Sequence, residues 1–257
     1  MHRNILLAMI MTIPFCLTAS AQAADEEPLP VFLLAGQSNM EGCAIVADLP
    51  EEKRQKQEQV LFFDKDQWLP LEPGTVPEGK RFGPEVSFGQ AMAKHLGKTV
   101  GLVKVASGGT DLAERWSPDG NKNVCYRNFI KKVKDAQKNR KIEIKGMIWM
   151  QGGADAKNED SAKAYKDNLT RFIESLRKEF DAPGMPFVCG RSNPEATKFA
   201  YIQDVRTAQE SVALPGYLWF DCDAITKGAD NVHYNAAGQL VAGELFAKGM
   251  ITLLDKK

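Results

Sequence analysis

Five short apolar runs, each followed by a segment with helical spacing, restrict this chain to one broad architecture. The runs are 31–35, 99–106, 146–150, 186–189 and 217–221. Runs of this length, bounded by glycine, proline or polar residues, read as buried strands. The intervening segments 84–96, 124–138, 161–180, 199–212 and 236–254 carry the helical pattern. In 161–180, Tyr165, Leu169, Phe172, Ile173 and Leu176 make one apolar stripe. In 84–96, Val86, Phe88, Met92, Ala93 and Leu96 do the same, and Gly97 suits the stop. Strands alternating with helices predict a parallel sheet covered on both faces. The expectation is an α/β protein: a three-layer α/β/α sandwich on a five-stranded parallel sheet, one domain over 24–257. The polar stretch 53–59 and the Pro-, Gly- and charge-rich stretch 62–80 read as loops or an irregular insertion on the catalytic side of the sheet.

The first residues stand apart from this pattern. Arg3 precedes an apolar stretch over 5–17, and Ala19 to Ala23 are mostly small. That is a secretory leader with cleavage after Ala23, so 1–23 is excluded from the fold and the destination is the periplasm or the medium. The stretch is short and broken by Pro14, which argues against stable membrane insertion. Cys43, Cys125, Cys189 and Cys222 follow it. Export permits disulfides, and Cys189 and Cys222 each follow a strand-like run that could bring them together; buried free thiols are the equal alternative. The cysteine spacings do not suit zinc, and no metal is expected. With 33 basic and 33 acidic residues, the chain has no basic surplus to hold nucleic acid.

The chemistry gathers at the ends of the runs. Gly36-Gln37-Ser38-Asn39-Met40 follows 31–35 directly. A serine at the tip of a strand, beside a glycine that permits a sharp turn, stands where open α/β sheets build their sites. Ser38 is the candidate nucleophile; most such serines only cap a turn or a helix. After the leader only His95 and His233 remain. His95 ends a predicted helix, where it suits the carbonyl end, and His233 is therefore the candidate base. Asp230, three residues before it, is the candidate orienting carboxylate, with Asp221 and Asp223 as alternatives. Asn235 suits the N-cap of the final helix. Two further stretches could supply oxyanion donors: Ser107-Gly108-Gly109-Thr110 after the second run, and Gln151-Gly152-Gly153-Ala154-Asp155 after the third. Arg115 and Trp116, just past the glycine turn, are candidates for holding a sugar, with core packing for Trp116 and surface charge for Arg115 as the alternative.

In this order the motifs resemble those of SGNH-type hydrolases, specifically the carbohydrate acetylesterase branch that contains acetylxylan esterases and sialate O-acetylesterases. The residues that carry the resemblance are Gly36-Gln37-Ser38-Asn39-Met40, Ser107-Gly108-Gly109-Thr110 with Trp116, Trp149-Met150-Gln151-Gly152, and Asp230-Asn231-Val232-His233 with Ala237-Gly238. The resemblance implies a flavodoxin-like sandwich and a serine esterase acting on acetylated carbohydrates. It implies Ser38, His233 and Asp230 as the triad, and an oxyanion hole of the Ser38 and Gly108 N–H groups, with Gly109 as substitute, and the Gln151 side chain. No cofactor is implied. One position departs from the pattern: the branch usually carries glutamate after Gln-Gly, and this chain has Gly153, which implies either lower activity or another carboxylate, Asp155 or Glu114, in the gap. The alternatives to an esterase are a carbohydrate-binding protein with weakened catalysis and a lipid or thioester hydrolase on the same scaffold. The sequon Asn168-Leu169-Thr170 falls in a predicted helix and carries no argument.

Overall fold

The computed structural model describes residues 27–76 and 79–256. The leader read at 1–23 lies outside the described residues. In chain order the elements are β1 (Leu29–Gly36), α1 (Ser38–Glu41), β2 (Ala44–Ile45), β3 (Gln57–Asp64), β4 (Gln67–Leu71), β5 (Arg81–Phe82), α2 (Glu85–Leu96), β6 (Val100–Ala106), α3 (Val124–Asn139), β7 (Ile142–Met150), α4 (Glu159–Lys163), α5 (Tyr165–Glu179), β8 (Phe187–Gly190), α6 (Ile202–Glu210), β9 (Tyr217–Phe220) and α7 (Ala236–Leu254). Among these residues no helix is long and apolar enough to cross a membrane.

The main sheet has seven strands in the order β4-β3-β6-β1-β7-β8-β9, not the five expected. All pairs in it are parallel except β3 with β4. The two extra strands come from stretches read as loops. β3 begins with the polar Gln57-Glu58-Gln59, and β4 is mostly exposed or half-buried, so neither shows a continuous apolar run. Lys65 and Asp66 join them, both with positive φ (48° and 59°). That is the primed two-residue hairpin turn, made here without the glycine or asparagine that usually announces it. The short pair β2–β5 forms a separate two-stranded sheet.

The five expected strands and their helices are present. β1 is buried along its whole length, as a central parallel strand must be. Its residues alternate between two cores, following the period of two. Leu29, Val31, Leu33 and Ala35 join the cluster with Phe129 of α3, Phe172 of α5 and Val205 of α6. Phe32 and Leu34 join the other, with Phe88 and Met92 of α2 and Phe246 and Met250 of α7. Helix 161–180 is broken near Ala164 into α4 and α5. α7 starts at Asn235, whose side chain accepts from the Gly238 N–H as expected of a cap.

From β1 the chain first builds β3 and β6 on one side of it, then β7 to β9 on the other. The order reverses at β1, and the crevice at such a switch point is where open sheets take ligands. The C-terminal ends of β1, β6 and β7 deliver Ser38, Gly108 and Gln151 to it.

Candidate functional site

The turn that carries Ser38 is made by a glycine that no other residue could replace without strain. Gly36 ends β1 with φ +151°, and a Cβ there would lie 2.1 Å from the Met150 carbonyl oxygen of β7. The chain can therefore close onto β7 and turn at once into α1. The N–H groups of Met40 and Glu41 donate to the Gln37 carbonyl at 2.8 Å each. Ser38 and Asn39 open the helix, where backbone N–H groups have no intrahelical partner.

His233, the candidate base, lies in the loop between β9 and α7. Asp230 organises it. Its Oδ1 accepts the N–H groups of Val232 and His233, each at 2.9 Å. Its Oδ2 lies 2.5 Å from His233 Nδ1, and His233 Nε2 lies 2.9 Å from Ser38 Oγ. An ionised carboxylate can only accept, so Nδ1 carries the hydrogen and Nε2 is left to accept the serine proton. Burial raises the Asp230 carboxyl, but the His233 and Val232 N–H groups and the His233 ring outweigh it and bring it down to about 2. The alternatives Asp221 and Asp223 are engaged elsewhere, both with Arg191 and Asp223 also with Arg206. The structure thus brings together the three residues expected from sequence.

Asn39 joins the site without having been singled out in the sequence. Its Nδ2 donates to the Val232 carbonyl at 3.1 Å and its Oδ1 accepts the Tyr234 N–H at 3.0 Å. These are the residues on either side of His233, so the turn that presents Ser38 also grips the loop that presents the base. Gln239 of α7 donates to the Asn39 carbonyl at 3.2 Å. Asn39 stands in the motif that carries the resemblance, but nothing local in the sequence shows what its side chain binds.

The expected oxyanion donors fare differently. Gln151 is buried with its amide committed: Nε2 donates to the Thr110 carbonyl at 3.0 Å and to Asp155 Oδ2 at 2.6 Å. Both N–H bonds are used, and the carbonyl end accepts Tyr165 OH at 2.9 Å. Gln151 therefore staples the site's wall and offers no free donor. Gly108 sits beside the nucleophile, a Cβ built on it lying 3.7 Å from Ser38 Cβ. Its N–H, however, donates to Glu41 Oε2 at 2.9 Å. The Ser38 N–H remains at the helix start.

Trp116 is not a sugar platform. It is 0% exposed, packs edge-on against Trp149, Phe129 and Phe172, and donates from Nε1 to Thr110 Oγ1 at 2.9 Å. A large apolar ring just past a glycine turn found the core before it found the cleft. Arg115 is exposed, and its carbonyl accepts the N–H groups of Cys125 and Tyr126, tying the turn to α3.

Neither carboxylate suggested for the gap at Gly153 reaches it. Asp155 is buried, accepting from the Leu112 and Ala113 N–H groups at 2.8 and 3.1 Å, besides Gln151. Burial pushes it up to about 6 against those three donors. Glu114 pairs at the surface with Lys122. A Cβ at Gly153 would meet Gln37 Nε2 at 3.1 Å and the Phe199 ring at 3.3 Å, so glutamine and phenylalanine already fill the space. Among the described residues Cys43, Cys125, Cys189 and Cys222 are free thiols, with Cys189 and Cys222 buried and unbridged. His95 lies at the end of α2 as expected, but its partner is the Asp255 side chain, at 3.2 Å.

Comparisons with known proteins place the chain in a family and a fold. The sequence profile of a family described as "Carbohydrate esterase, sialic acid-specific acetylesterase" matches residues 28–252. A probable carbohydrate esterase of Arabidopsis thaliana is 27% identical over 251 residues, covering 88% of this chain and 93% of that one. An X-ray structure of an Arabidopsis thaliana protein superposes with a TM-score of 0.77 at 24% identity, covering 88% of this chain and 98% of that one. A carbohydrate acetylesterase from Xanthomonas citri gives 0.69 at 21%, covering 89% and 57%. NanS gives 0.72 at 13%, covering 90% and 98%. These structural likenesses establish a shared fold.

Proposed function

This chain belongs to the carbohydrate esterase family of sialic acid-specific acetylesterases, a family of carboxylic ester hydrolases, and from that premise we propose that it removes O-acetyl groups from carbohydrate through an acetyl-Ser38 intermediate. The observation that carries the reading is the hydrogen-bonded chain Asp230–His233–Ser38, at 2.5 and 2.9 Å.

In the proposed reaction Ser38 Oγ attacks the acetyl carbonyl carbon while His233 Nε2 takes its proton. Asp230 holds the ring in the tautomer this requires and stabilises the imidazolium that forms. The Ser38 N–H donates to the developing oxyanion; Gly108 can add a second donor only when Glu41 releases it. Collapse of the tetrahedral intermediate breaks the bond to the sugar oxygen, which receives the proton from His233. Water then attacks the acetyl-enzyme with His233 again as base, releasing acetate. Export through the leader at 1–23 is part of the same proposal and rests on the sequence alone.

The test is a burst-resolved assay of 4-nitrophenyl acetate hydrolysis with mass spectrometry of the intact protein. Wild type should turn over and carry one acetyl group on Ser38, and Ser38→Ala should do neither. Substantial turnover by pure Ser38→Ala protein would reject Ser38 as nucleophile. Folded wild type without turnover above background, but binding acetylated glycan in a calorimeter, would favour the carbohydrate-binding alternative.

A further inference from the structure

The site holds an anion of its own. Glu41, the last residue of α1, sets its carboxylate on the Gly108 N–H, with Oε2 at 2.9 Å. A Cβ built on Gly108 would lie 3.4 Å from that Oε2 and 3.7 Å from Ser38 Cβ, so the carboxylate and the serine flank the same glycine. An N–H beside the attacking serine is what a tetrahedral oxyanion requires. A carboxylate oxygen resembles that oxyanion: it carries negative charge, only accepts, and sits at hydrogen-bond distance from the donor.

Two roles are open to this contact, and they have opposite consequences. It either ties the glycine turn in place or occupies the donor. The turn is tied without it. The Ser107 N–H donates to the Gly36 carbonyl at 3.1 Å, and Thr110 Oγ1 donates to the Ser107 carbonyl at 2.7 Å. Just beyond, Gln151 Nε2 holds the Thr110 carbonyl and Asp155 accepts the Leu112 and Ala113 N–H groups. The end of α1 is pinned through its backbone. The Glu41 N–H donates to the Gln37 carbonyl at 2.8 Å, and the Glu41 carbonyl accepts from Lys104 Nζ at 2.9 Å. The Glu41 side chain is needed for neither. What it makes is one charge-assisted bond to an exposed glycine, where water and a substrate carbonyl can compete for the donor.

We propose that Glu41 is an internal competitor for the oxyanion site: it fills the Gly108 donor between turnovers, which slows acyl transfer and keeps free carboxylates, the acetate product among them, out of the site. The inference rests on the reading of Ser38 as an acetyl-transfer nucleophile, and deepens it by naming a residue that sets the rate and the product inhibition. A substrate can react with the Ser38 N–H as its one donor, or displace Glu41 and use two. Forgoing a donor costs about 10²–10³ in rate. Displacing Glu41 costs one exposed charge-assisted bond, about tenfold. The displacing route is therefore the faster one, and the bond to Glu41 is its toll. Free acetate meets the same competitor with nothing to gain, because it exchanges one carboxylate for another on the same donor.

The experiment measures 4-nitrophenyl acetate hydrolysis by the full chain, with and without added sodium acetate. In Glu41→Ala kcat/KM should rise about tenfold. In Glu41→Gln it should rise about threefold, because a neutral amide oxygen still accepts from Gly108 with roughly half the strength. Inhibition by acetate should strengthen in the same order. A side chain that merely ties the turn would give slower variants, not faster ones. If Glu41→Ala fails to fold, Glu41→Gln, which keeps the shape, decides by the same two readouts. A rate that does not rise, or acetate inhibition that does not strengthen, overturns the competitor. If neither wild type nor variant turns over the ester, the nucleophile reading fails by itself, and the Gly108 amide signal in ¹⁵N NMR during an acetate titration still decides the competitor. A shift at lower acetate in the variants than in wild type upholds it; the same response in all, or none in any, overturns it.

Discussion

Replacing Asn39 by alanine should separate the placement of the base from the chemistry it performs. The side chain makes two hydrogen bonds, at 3.1 and 3.0 Å, to the backbone on either side of His233. Truncation strips a carbonyl and an N–H of their partners in a place where Asn39 is 9% exposed. Each such loss costs about 1–3 kcal/mol, and water reaching the vacated space lowers the figure, so roughly 2–4 kcal/mol of stability should go. The catalytic cost arises separately. The released loop lets the His233 ring drift from its 2.9 Å contact with Ser38. A misplacement of about 1 Å costs on the order of 100-fold in rate. The assay is kcat on 4-nitrophenyl acetate alongside urea denaturation of the same preparations, under conditions where each is folded. Asn39→Asp sharpens the test: it can still accept the Tyr234 N–H but sets a carboxylate against the Val232 carbonyl, and should lose at least as much activity. A kcat within about twofold of wild type, whatever the loss of stability, would refute the claim that Asn39 positions the base.

Two shorter tests bear on residues whose expected roles changed. Trp116→Ala should cost about 3–5 kcal/mol of stability, read by chemical denaturation, as removal of a buried ring does; wild-type stability combined with a raised KM for acetylated sugar would return Trp116 to the cleft. Asp155 titrates higher in the folded chain, about 6, than its ordinary 3.8, so the folded state holds its proton more tightly than the unfolded state. Its contribution is therefore full below about 4 and is lost as pH rises through about 6. Denaturation midpoints measured from pH 4 to 7 should fall with rising pH relative to Asp155→Asn, and a constant difference would mean that Asp155 titrates alike in both states.

What the sequence made legible follows from how each feature is encoded. The five central strands and their helices are written in local periodicity, and Leu29 to Gly36 reads as a strand because burial on both faces demands an unbroken apolar run. β3 does not, because it lies near the sheet edge and begins with Gln57-Glu58-Gln59, and its turn at Lys65-Asp66 uses residues that do not advertise positive φ. Ser38, Asp230 and His233 were readable because, after the leader, only His95 and His233 remain and His95 ends a helix, and because Ser38 follows the tip of the first strand directly behind Gly36 and Gln37. Gln151 and Gly108 were placed at the correct sheet edge, but what their donors bind is set by Asp155, Thr110 and Glu41. Those partners are fixed by tertiary packing, which no local pattern records. Asn39 was invisible for the same reason: its two partners lie 193 and 195 residues away.

That separation has a consequence for the order in which the protein becomes itself. Ser38 is made early and His233 late, and α7 follows the histidine to bind the Asn39 carbonyl through Gln239. A chain still emerging from the ribosome carries the serine, yet it holds no base for it. Esterase activity on the proposed mechanism therefore requires the loop between β9 and α7, and a chain cut anywhere before residue 233 carries a serine without its base.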